Sequence, residues 1–175
     1  MGAVTSDGFV HFFDELIEMY ELRELYIIKG GSGIGKSSFI KKFTESFKEH
    51  PIDYIYCSND PNSLDGAVIT DLNIGIVDGT APHILEVKYP GLIDEIIDLG
   101  KFINKEKLKT KANKEKIDML LSGKKENYAK AFSHLAKARE YHAELEMLYS
   151  GCVEFDKVDE LLGQILKNHT SHSCE

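Results

Sequence analysis

Residues 30–37 read Gly30-Gly31-Ser32-Gly33-Ile34-Gly35-Lys36-Ser37, which satisfies G-x-x-x-x-G-K-[ST] at every fixed position. The chemistry of such a segment is phosphate binding. Glycines let the backbone turn its N–H groups inward toward phosphate oxygens, a lysine in the place of Lys36 reaches the β- and γ-phosphates, and the hydroxyl of Ser37 is offered to Mg2+. Gly31, Ser32, Gly33, Ile34, Gly35, Lys36, Ser37 and Ser38 are therefore the expected nucleotide contacts, with ATP and Mg2+ as the ligands. The apolar run Leu25-Tyr26-Ile27-Ile28 precedes the loop, and apolar residues at 39, 40, 43 and 47 follow it at helical spacing. A phosphate held there would sit at a helix N-terminus, where orphan N–H groups and the helix dipole favour negative charge.

Asp78 is the natural partner of that loop. It closes the apolar run Asn73-Ile74-Gly75-Ile76-Val77, 42 residues after Lys36, and a carboxylate so placed holds Mg2+ opposite Ser37. The plainer alternative is an acid that caps a turn before Gly79. Because residue 79 is glycine and not glutamate, a water-activating base must come from elsewhere. Asp60, Asp65, His83 and Glu86 are the candidates, and Asp60 is favoured because the C-terminal ends of parallel strands face the nucleotide. An Asx turn before Pro61 would explain Asp60 equally well. Arginine occurs only at 23 and 139, which weighs against a nucleotide kinase and leaves any activating arginine to another domain or subunit.

These groups need a strand–loop–helix frame, and the chain supplies one. An opening helix over residues 8–20 is expected from apolar residues at 9, 12, 13, 16, 17 and 20. Strands follow at 25–29, 52–58 and 73–79, with a helix over 37–49 ended by Pro51. The 14 residues between Ser58 and Asn73 suffice for a crossover, so the second and third strands are expected to lie parallel. No β-type run is evident past residue 90, so this chain is expected to supply a short parallel sheet of about three strands, with its open edge covered by helices or completed by another chain. Helices then run to the end, with a break at Ser122-Gly123, a long helix over 124–150 paired with its predecessor, and a last helix from Asp156. The expected organisation is an α/β nucleotide-binding core over 1–91, a helical hairpin or bundle packed on it over 92–168, and a flexible tail over 169–175.

Composition bounds the function classes. The chain has 175 residues, 42% of them hydrophobic, and a net charge of −8. Residues 1–90 carry net −7 and residues 91–175 net −1, so bulk charge does not favour nucleic acid. Seven lysines against two glutamates over 101–116 form a basic stretch, read as a solvated helix face for want of interleaved aromatics or arginines. No apolar run approaches the roughly 20 residues of a membrane span, so a soluble, cytosolic protein is expected. Cys57, Cys152 and Cys174 lack metal spacing and are expected to be reduced thiols; His169-x-x-His172-x-Cys174 could hold a metal but reads more simply as a polar tail. Leu121-Ser122-Gly123-Lys124-Lys125 comes after the acidic strand and not before it, as a transporter-type signature would. Asn104-Lys105-Glu106-Lys107 and Asn113-Lys114-Glu115-Lys116 lack the closing aspartate of a guanine-reading motif, so ATP is the expected nucleotide.

Three further strings accompany the loop: Ser58-Asn59-Asp60-Pro61-Asn62-Ser63-Leu64-Asp65-Gly66, Asp78-Gly79-Thr80-Ala81-Pro82-His83 and Lys88-Tyr89-Pro90-Gly91. In this combination the chain resembles a family of uncharacterised ATP-binding proteins of clostridia and bacilli, whose members are identified as ATPases about twice this long with two phosphate-loop halves. The resemblance implies that this chain corresponds to the first half, that a second such domain completes the sheet or site, and that residues 60–65 and 78–83 form the family's distinctive site. It supplies no substrate, and Glu86 departs from the pattern. The leading expectation is an ATP·Mg2+-binding protein with slow ATPase activity coupled to a partner. Its alternatives are a small-molecule kinase using Asp60 or Asp65 as base and a nucleotide-gated module that does not turn over.

Overall fold

The structure, a computed structural model, describes residues 2–81 and 84–170, the last three by backbone alone. Strands β1 (Gly2–Thr5) and β2 (Gly8–His11) form an antiparallel ribbon whose turn is tied by the Thr5 hydroxyl donating to the Gly8 carbonyl. A 3-10 turn at Phe13–Glu15 and the short helix α1 (Leu16–Met19) follow. The helix expected over 8–20 is therefore confined to 13–19. Phe13, Leu16 and Ile17 are buried at helical spacing, while residues 8–11 are held by ladder bonds to β1.

The main sheet has five strands: β3 (Glu24–Lys29), β4 (Ile52–Tyr56), β5 (Leu64–Ile69), β6 (Ile74–Asp78) and β7 (Asp94–Asp98), in the order β4-β5-β6-β3-β7. Strand β3 pairs parallel to β6 and β7, whereas β5 is antiparallel to both β4 and β6. This corrects the expected parallel sheet of three strands in two places. The connection read as a crossover holds a strand of its own, β5, paired antiparallel to both neighbours, so β4 and β6 do run in the same direction but are not adjacent. All six residues of β5 are buried, so the run lacks the alternation that marks a half-exposed strand, and Asp65-Gly66 inside it mimics a turn. Gly66 is glycine for packing, since a Cβ there would lie 2.9 Å from the Ile76 carbonyl oxygen. The second correction is β7, read as the start of a helix from Ile93, Ile96, Ile97 and Leu99. It pairs with β3 from Leu25↔Asp94 to Lys29↔Asp98, so the strands beyond the expected three come from this chain.

Side-chain alternation along the inner strands builds a core on each face. Ile27, Val68 and Val77 join Phe13, Leu16 and Leu22 on one side; Ile28, Ala67 and Ile76 join Ile40 and Leu64 on the other. Ile40 belongs to helix α2 (Lys36–Glu45), which covers the second face. Past the sheet come α3 (Lys105–Leu108), capped by the Asn104 side chain accepting from the Lys107 N–H, then α4 (Lys111–Ser150) and α5 (Phe155–Thr170). Helix α4 runs through Ser122-Gly123, where a break is expected; one glycine costs only ~1 kcal/mol in a helix this long. The chain divides into two compact units, residues 1–134 and 135–175. No residue of α4, and none of α5 through residue 167, is buried. No helix among the described residues is long and apolar enough to cross a membrane.

Candidate functional site

Three parallel strands bring their C-terminal ends to one edge: Ile28 stands opposite Asp78, and Lys29 opposite Asp98. The 30–35 loop leaves β3 at that edge and enters α2 at Lys36. Two glycines make the turn possible. Gly30 has φ 151°, and a Cβ on it would lie 1.9 Å from Ile34 Cδ1; Gly35, the residue capping α2, has φ 92°. The first amides of α2 thus stand at a helix start with no side-chain cap.

Lys36 Nζ donates to the carbonyls of Gly30 and Gly31, each at 3.0 Å, and lies 3.5 Å from Asp78 Oδ2. Two of its three protons go to those carbonyls, and the third remains for the carboxylate or a ligand. The two partners are 12% and 14% exposed, so the pair is largely screened from water yet open to a ligand. Asp78 Oδ1 accepts from the Thr80 N–H at 2.9 Å, which orients the carboxylate. Ser37 Oγ accepts from the Leu64 N–H at 2.9 Å, keeping its own proton and a second lone pair available. A cavity of about 340 Å3 is lined by Gly33, Gly35, Lys36, Ser37, Ser38 and Asp78, with Ser63 and Leu64 from the start of β5.

Six of the nine residues expected at the loop and the acidic strand therefore meet around one cavity, while Gly31, Ser32 and Ile34 lie outside its lining. Asp60 is exposed and also outside it; its Oδ1 accepts from the Asn62 N–H at 2.9 Å, which is the Asx turn weighed as the alternative. Asp65 is buried on β5; burial above all, with the Asp65 carboxylate adding to it, pushes the Cys57 thiol up. Glu86 is exposed, and His83 lies outside the described residues, as do His172 and Cys174 of the tail string. Cys57 and Cys152 are free thiols.

Lys29 was not anticipated. Its ammonium donates to the carbonyls of Gly79 at 2.7 Å and Leu85 at 2.6 Å, strapping the segment after Asp78 to β3. Its only sequence signal is a lysine ending a buried strand directly before the loop. Asp94 was missed as well. Its Oδ2 accepts from the Lys88 and Tyr89 amides at 2.6 and 2.7 Å, so Lys88-Tyr89-Pro90-Gly91 is a turn built on that carboxylate, with Gly91 at φ 71°.

The donor set fits a phosphate-bound divalent cation. Mg2+ takes one or two protein oxygens and completes its shell with phosphates and waters, and Ser37 and Asp78 share a cavity with the free end of α2. Among the described residues no cluster of three or more His, Cys, Asp or Glu side chains would hold a metal without such a ligand. Compared with family models, with curated proteins and with solved structures, the chain matches none.

Proposed function

We propose that the chain is a phosphate-loop nucleotide-binding protein that binds ATP·Mg2+ through residues 31–38 and hydrolyses it slowly. The observation that carries this reading is the convergence of Lys36, Ser37 and Asp78 on one cavity at the N-terminus of α2. The loop amides and Lys36 hold the phosphates, the ammonium exchanging its contact with Asp78 for phosphate oxygens. Ser37 and Asp78 hold the metal, which neutralises charge on the β- and γ-phosphates. Lys29 keeps the segment after Asp78 against β3, so that the carboxylate stays in register with the loop.

Slow turnover follows from what surrounds Asp78. The next residue is Gly79, so no acid adjoins the metal ligand, and Asp60 spends one oxygen on its own turn. With no base set beside Asp78 among the described residues, hydrolysis forgoes the 10²–10⁴-fold, in rough terms, that general base catalysis contributes. The test is Mg2+-dependent phosphate release from ATP, with Lys36→Ala beside the wild type. Slow release that the variant abolishes supports the reading. Release that survives in the variant would place the chemistry elsewhere.

A further inference from the structure

A second cavity, of about 530 Å3, lies apart from the phosphate loop and is lined by Phe9, Leu121, Lys124, Lys125, Tyr128 and Phe132, with Ala81 and Ala129. All of these belong to the first compact unit. We propose that this cavity is a binding site for a small amphipathic anion: a flat aromatic or apolar body carrying one carboxylate, sulfonate or phosphate group.

The walls argue for the body. Lys124, Tyr128 and Phe132 succeed one another at i, i+4 on α4, as do Leu121 and Lys125, so one helix face presents two aromatic rings and two lysine stems together. The rings of Tyr128 and Phe132 are 5.9 Å apart, and Phe9 of β2 supplies an aromatic from a different element. Tyr128 is fixed at its polar end, where Asn59 Nδ2 donates to its hydroxyl at 2.9 Å. The volume falls within the range of about 300–1,000 Å3 typical of small-molecule sites, which are mostly apolar with a few convergent polar groups.

The charge argues for the anion. No carboxylate lines the cavity, and neither Lys124 nor Lys125 meets one among the described residues. Lys124 Nζ stands 5.8 Å from the centre of the Tyr128 ring. Two ammonium groups with no carboxylate beside them set the sign of charge at the aromatic walls. An apolar cation or a neutral hydrocarbon would leave both without a partner.

The probe is 8-anilinonaphthalene-1-sulfonate, titrated against the full chain and compared with N-phenyl-1-naphthylamine, which has the same rings and no charge. One saturable sulfonate site is expected. Replacing both lysines, Lys124→Glu with Lys125→Glu, should weaken the sulfonate by about tenfold or more and leave the neutral amine within about twofold. Phe132→Ala should weaken both probes. Because the sulfonate also lights up on any exposed apolar surface, Leu162→Ser on the exposed apolar face of α5 serves as the control and should change neither. Far-UV circular dichroism establishes that each variant is folded. Non-saturable binding, sulfonate affinity indifferent to the lysine pair, or a loss in Leu162→Ser would overturn the proposal. No readout involves a nucleotide, so the result stands apart from the ATP reading.

Discussion

At the end of β6, Asp78 gives one oxygen to the Thr80 amide and turns the other toward Lys36 across an open cavity; at the start of β7, Asp94 gives one oxygen to two backbone amides and is 5% exposed. Register puts them at opposite edges of the sheet, since Asp78 faces Ile28 and Asp94 faces Leu25. The contrast separates two uses of one residue type. A carboxylate that commits one oxygen to two backbone donors in the interior holds a turn, and its value is stability. A carboxylate left facing a cation at the C-terminal edge retains lone pairs for a ligand, which is the use the proposed function gives it.

The largest expected effect belongs to the structural edge. Asp94→Ala strands two part-buried amides and should cost about 1–3 kcal/mol in chemical denaturation. Asp94→Asn keeps an oxygen for those amides and sets its NH2 beside the position where Oδ1 has no partner, so it should recover most of the loss. ATP affinity per folded molecule should be unchanged in both. If Asp94→Ala abolished binding in protein shown to be folded, the division between the two edges would fail.

Asp78→Asn should behave in the opposite sense. Stability should move by less than for Asp94→Ala, because the Thr80 amide keeps an acceptor and the Lys36 ammonium keeps the Gly30 and Gly31 carbonyls. The Mg2+ dependence of ATP binding should weaken, which a titration with and without the metal measures. The smallest effect is at the exposed Lys88–Glu18 pair on the structural edge. The hydrogen bond and charge of Lys88 lower the Glu18 carboxyl, so its contribution is present above the ordinary carboxylate range and lost as pH falls through the depressed value. Lys88→Ala should therefore lower neutral stability slightly, leave stability below the depressed value unchanged, and so flatten the acid limb of a stability-versus-pH curve.

Much of the C-terminal edge was legible in the sequence because it is local. The loop's glycines, Lys36, Ser37 and the strand before them are contiguous, and an apolar run ending in Asp78 needs only a period to be seen. Strand β5 was not legible because a strand buried on both faces has no alternation. Strand β7 escaped because Asp94-Glu95-Ile96-Ile97-Asp98, five residues with three acids, fits a helix turn as well as a strand. Lys29 and Asp94 escaped for another reason: their partners are backbone groups brought near by the fold, and a backbone acceptor leaves no mark in a sequence.

Isothermal titration of ATP with Mg2+ into the full chain and into Lys36→Ala tests the central claim most directly. The account predicts one saturable site in the wild type and an affinity about ten- to a hundredfold weaker in the variant, the size of one charge-assisted phosphate contact. Absence of binding in the wild type, or equal affinity in the two proteins, would contradict it.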